Sequence, residues 1–120
     1  MLNVDTHVLV HAITGELKAG ERRLLTHNRW SVSAIVFWEL AKLRQLDRIE
    51  LDLDDPEFGR FLASLHVWPI TPAVAWASTR LDVAGDPAGE LIAATSVVHK
   101  VPLLTRDRRL LRSTVVPLAK

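Results

Sequence analysis

The chain has 120 residues, a formal net charge of +1, 48% hydrophobic and 24% charged residues, and no cysteine. That length suits a single domain with one core, and the composition is that of a globular protein rather than a disordered tail. Lack of cysteine excludes disulfides, thiolate nucleophiles and Cys-based zinc sites; no apolar run approaches the ~20 residues of a membrane span, and Met1 to Asp5 carries no basic leader, so a cytoplasmic location is expected.

In chain order, Leu2 to Val4 reads as a first strand and Thr6 to Ile13 as a helix. A polar stretch from Gly15 to Gly20 leads into a second helix ending near His27. Trp30 to Val32 is a short strand, and Ser33 is placed to N-cap a helix reaching about Leu46. Asp54-Asp55-Pro56 opens a helix to about Leu65, with Pro at an early position that tolerates it. Val67 to Ile70 is strand-like, Pro72 opens a helix to about Leu81, and Asp86-Pro87 starts one that runs to about His99. Val101 to Leu104 reads as a buried strand and Val115 to Leu118 as a last edge strand. Short apolar runs alternating with helices, without repeat or linker, predict one three-layer α/β domain over 1–120 around a central parallel sheet.

Three acids stand out against this frame. Asp5 and Asp107 each follow a predicted strand, at the carboxyl edge where parallel sheets bind ligands; each is alternatively an ordinary turn or N-cap residue. Glu39 shares a helix face with Ile35, Val36, Leu43 and Leu46, where an ionisable group must be paired, hydrogen-bonded or holding a metal. The other reading puts it at the edge of the stripe, beside Lys42 or Arg44. Separated carboxylates, without cysteine or a zinc-spaced His pair, point to a hard cation such as Mg²⁺ or Mn²⁺.

Lys100, Arg106, Arg108, Arg109 and Arg112 gather toward the C-terminal end, as phosphate contacts or as a solvated face. The five histidines, His7 and His11 among them, show no zinc pattern. Trp30, Trp38, Trp68 and Trp76 suit core or dimer packing better than base stacking.

Four segments occur in a familiar order: Val4-Asp5-Thr6-His7-Val8-Leu9-Val10; Ser31-Val32-Ser33-Ala34-Ile35-Val36-Phe37-Trp38-Glu39-Leu40-Ala41; Gly85-Asp86-Pro87-Ala88-Gly89-Glu90-Leu91-Ile92-Ala93-Ala94-Thr95; and Leu103-Leu104-Thr105-Arg106-Asp107. Across nearly the whole chain they resemble the motifs of PIN-domain ribonucleases, best of all the VapC-type toxins of type II toxin–antitoxin systems. The resemblance implies a Mg²⁺- or Mn²⁺-dependent endoribonuclease with Asp5, Glu39 and Asp107 as catalytic acids and metal ligands. Thr6 and Thr105 would be their hydroxyl neighbours on the substrate side, with Arg106 and Arg108 on the RNA phosphates. A small antitoxin would cover the site, and homodimers are usual in the family.

One position departs from the family pattern. A metal-binding Asp normally stands three residues after the Asp of Asp-Pro, where this chain has Gly89. Asp86 and Glu90 are the candidate substitutes. Glu90 would point about 100° away on the helix, and Asp86 is expected to be engaged as an N-cap. Two functions therefore follow: RNA cleavage weakened at Gly89, or a non-catalytic PIN-like module that binds an antitoxin, another partner or RNA. A phosphoacceptor signalling domain of similar class would need an acidic pair at the first strand end, and Asp5 has no acidic neighbour.

Overall fold

Four short strands, β1 (Leu2–Val4), β2 (Trp30–Ser33), β3 (His66–Trp68) and β4 (Leu103–Leu104), form one sheet in the order β3-β2-β1-β4. The computed structural model describes residues 1–120. All three strand pairs are parallel, with Asn3 opposite both Ser31 and Leu103. The six helices are α1 (Thr6–Thr14), α2 (Ala19–Thr26), α3 (Ile35–Gln45), α4 (Pro56–Ala63), α5 (Pro72–Ser78) and α6 (Pro87–His99). Helices fill each crossover: α1 and α2 lead into β2, α3 and α4 into β3, and α5 and α6 into β4, with α6 packed against β1, β2, α3 and α5. The expected three-layer arrangement follows.

Central strands covered on both faces must be apolar or internally satisfied. Leu2, Val4 and Val32 are buried, and they pack with Val8, Leu9, Val36, Leu40, Ile92, Leu103 and Leu110 into one core. Asn3 is also buried; its Nδ2 donates to Ile92 O at 3.0 Å and to Ser96 Oγ at 2.9 Å, which pins α6 across β1. Asp5, Asp55, Thr71 and Asp86 N-cap α1, α4, α5 and α6 with their side chains, and Pro follows the cap in the last three. Those caps explain why the helix starts were visible in the sequence. No helix is long and apolar enough to cross a membrane.

Four expectations need correction. Ser33 is the last residue of β2, paired with Trp68, so α3 starts only at Ile35; its hydroxyl still accepts from Ile35 N at 3.3 Å. The third strand is His66–Trp68, leaving Ile70 exposed. Helix α5 ends at Ser78 rather than near Leu81, because Asp82 is drawn to the C-terminal segment, accepting from Ser113 Oγ at 2.5 Å and Thr114 N at 2.7 Å. Residues 115–118 form no strand. Ser113 Oγ takes the Val115 and Val116 amides at 3.1 and 2.9 Å and bends the chain, so only one bridge, Leu118 to Leu103, remains after a 3-10 turn at Leu110–Arg112.

Candidate active site

The strand order reverses beside β1: the chain builds outward to β3, then returns to add β4 on the other side. A crevice opens at the carboxyl ends of strands flanking such a reversal. Asp5 follows β1 there, and Asp107 follows β4. Asp5 N donates to Leu104 O at 3.0 Å, extending the ladder up to the first acid. Asp5 Oδ1 accepts from Thr6 N at 2.8 Å and Oδ2 from Thr105 Oγ1 at 2.6 Å. Thr105 Oγ1 in turn accepts from Asp107 N at 3.0 Å, while Thr6 Oγ1 donates to Glu39 Oε1 at 2.5 Å. One continuous run of hydrogen bonds thus links Asp107, Asp5 and Glu39, which lie far apart in the chain.

A pocket of about 210 Å³ sits over this run, lined by Asp5, His7, His11, Glu39, Asp86, Gly89, Arg106 and Asp107 and by no hydrophobic residue. Larger cavities, of about 720 and 480 Å³, lie along the 44–54 loop and between Trp30 and Phe61, away from the three acids. Burial pushes the Asp5 carboxyl above its ordinary range, against the hydrogen bonds from Thr105 and Thr6. Glu39 is raised too, by burial first and then by the charges of Asp5 and Asp86. Two partly buried carboxyls are thus crowded by further acids in one pocket.

Several expected residues occupy other roles. Thr6 and Thr105 are buried, and their hydroxyls donate to Glu39 and Asp5. Arg106 is clamped by Glu21, through Nε at 2.7 Å and Nη2 at 2.6 Å, which ties up one edge of its guanidinium. Glu90 lies outside the pocket lining, as its 100° offset requires, which removes it as a substitute acid. Asp86 does border the pocket, with Oδ1 held by Gly89 N at 2.7 Å. Glu39 sits beside the buried stripe of Val36 and Leu40, with Leu46 exposed at the end of the helix. Trp38 and Trp76 are exposed, not core. His7 and His11, which show no zinc pattern in the sequence, both line the pocket. Their i, i+4 spacing just after Asp5 was the available signal, and it carries weight only once α1 is known to face the pocket.

The PIN domain family profile matches residues 3–115. The chain belongs to the PIN domain family. It is 40% identical over 83 residues to Ribonuclease VapC22 of Mycobacterium tuberculosis (strain ATCC 25618 / H37Rv), a match covering 67% of this chain but only 64% of that relative. Two solved structures share the fold. A toxin–antitoxin complex from Klebsiella pneumoniae superposes with TM-score 0.75 at 15% identity, covering 99% of this chain and 97% of the other. VapBC2 from Rickettsia felis, bound to a DNA fragment from its promoter, gives TM-score 0.73 at 18% identity, with 99% and 98% covered.

Within this PIN domain the donor set suits a hard divalent cation in kind: four carboxylates, crowded and short of counter-charge. The arrangement falls short in geometry, since no three His, Asp or Glu side chains are already placed to hold a metal ion. Gly89 lines the same pocket and brings no side chain to it. Asp107 Oδ1 is also engaged, by the amides of Arg109 at 2.8 Å and Leu110 at 3.3 Å.

Proposed function

We propose that this chain is a metal-dependent endoribonuclease of the VapC toxin type, using Mg²⁺ or Mn²⁺ to cleave RNA phosphodiesters, with its activity lowered by Gly89. The observation that carries this reading is the meeting of Asp5, Glu39 and Asp107, from three separate elements, in one polar pocket at the sheet's reversal point. The name of the ribonuclease relative supports the activity. Neighbours described as toxin–antitoxin complexes support a small antitoxin as partner.

Asp5, Glu39 and Asp107 would hold the ion. Once bound, it supplies charge for the scissile phosphate and lowers the pKa of an attacking water. Thr105 and Thr6 hold Asp5 and Glu39 with fixed oxygens toward the pocket. Exposed Arg108, next to Asp107, is free to take an RNA phosphate. The working unit is a homodimer, for which the exposed Trp38 and Trp76 supply apolar surface.

The incomplete acid set favours a second reading, a non-catalytic PIN module that binds an antitoxin or RNA. RNA cleavage with added Mn²⁺ separates the two, run on this chain, on Gly89→Asp and on Asp5→Asn, with growth followed after induction. The parent should cleave slowly, Gly89→Asp at least roughly tenfold faster, the scale of a metal-supporting contact, and Asp5→Asn not at all. If none cleaves RNA or slows growth, the binding module is the correct reading.

A further inference from the structure

Arg106 is the only Lys or Arg that borders the acidic pocket, and it stands between Thr105, bonded to Asp5, and Asp107. A guanidinium beside uncompensated carboxylates ordinarily pairs with them, by a planar fork that matches a carboxylate's two oxygens. Here it turns the other way. Nε donates to Glu21 Oε2 at 2.7 Å, and Nη2 donates to Glu21 Oε1 at 2.6 Å and to Glu16 O at 3.1 Å.

The geometry points to Glu21 as a positioning residue that keeps Arg106 off the pocket's carboxylates and so leaves that pocket open to a cation. Glu21 is built for this task. It sits in the first turn of α2, where the helix N-terminus favours a negative charge, and its Oε1 also accepts from Lys18 N at 2.8 Å. It is 9% exposed, while the Arg106 side chain is partly exposed. The Arg106 fork holds its carboxyl down at about 2. If the clamp were lost, Arg106 would turn to Asp5, Asp86 or Asp107 and cancel the charge that attracts a divalent ion. This inference rests on the proposed reading of the pocket as a cation site.

Glu21→Gln retains an acceptor for Lys18 N while removing the charge. Its crystal structure should place the Arg106 guanidinium on a pocket carboxylate; a guanidinium still held by the side chain at position 21, or free in solvent, overturns the proposal. Mn²⁺ binding, followed by paramagnetic resonance in this chain and in the Gly89→Asp background, should weaken at least about tenfold in Glu21→Gln, a change of about 1.4 kcal/mol. Arg106→Gln alone, and the double variant Glu21→Gln/Arg106→Gln, should both bind within roughly twofold of the parent, since neither has a cation to enter the pocket. Equal weakening in Arg106→Gln and Glu21→Gln would make the pair a simple strut and refute the positioning role. If Arg106 swings inward in the crystal but no variant, including Gly89→Asp, binds Mn²⁺, Glu21 does restrain Arg106 and it is the cation site that fails.

Discussion

Replacing Gly89 by Asp adds a carboxylate to a pocket that already holds Asp5, Glu39, Asp86 and Asp107. A Cβ at position 89 would stand 3.2 Å from Asp86 Oδ1 and 3.6 Å from Oδ2, so the capping carboxylate must give way by a few tenths of an ångström. Two unit charges ~5 Å apart at an effective dielectric of ~20 repel by about 3 kcal/mol. Solvent in the open pocket and partial protonation cut that to roughly 1–2 kcal/mol. In the other direction, removing Gly from a helix gains about 0.3 kcal/mol, and an acid near the N-terminus gains about 0.3–1 kcal/mol. The balance is a loss of up to about 1.4 kcal/mol, or ~6 °C in Tm at this chain length. Divalent cation should reverse the sign: at roughly a hundredfold excess over Kd, binding adds about 2.7 kcal/mol. Thermal denaturation of parent and variant, in chelator and then in Mn²⁺, reads both effects. The reasoning fails if Gly89→Asp melts clearly higher than the parent in chelator, or if Mn²⁺ raises both proteins equally.

Glu39→Gln probes the raised carboxyl: in the folded state its protonated form is favoured, so the associated stability is present below the ordinary value of 4.5 and is lost as pH rises through the higher folded value. The variant keeps the acceptor for Thr6 and should, without metal, melt higher than the parent at neutral pH and decline less from mildly acid to neutral pH; superimposable pH–Tm curves would sink the assignment. Arg108→Ala should weaken RNA binding and lower the log–log salt slope by about 1, while Arg106→Ala leaves the slope unchanged because its guanidinium is held by Glu21. An unchanged slope for Arg108→Ala would return that arginine to an ordinary solvated face. Trp76, 64% exposed on α5, should lie in a homodimer contact, so light scattering should find dimers at micromolar concentration that Trp76→Glu dissociates. A monomeric parent under those conditions counts against it.

What the amino-acid order determined by itself is whatever depends on neighbours within a turn or two. Pro56, Pro72 and Pro87, each after a capping side chain, marked helix starts to the residue. The short run Leu2-Asn3-Val4 before Asp5, and the apolar run before Asp107, placed two acids at strand ends. Asp86 was legible as a cap, and Gly89 as a gap beside it, because both follow from one helical turn. Tertiary structure decided everything whose partner is remote. Ser33 was drawn into a strand by Trp68, and residues 115–118 were bent out of one by Ser113. His7 and His11 became pocket residues only because α1 follows β1 at the reversal point. Arg106, read as a hand for RNA, is instead held by Glu21 across 85 positions of chain. Local backbone preferences act through fixed short separations and so leave a pattern in the sequence, whereas a charge takes whichever counter-charge the packing brings within about 3 Å, and no spacing in the chain announces that choice.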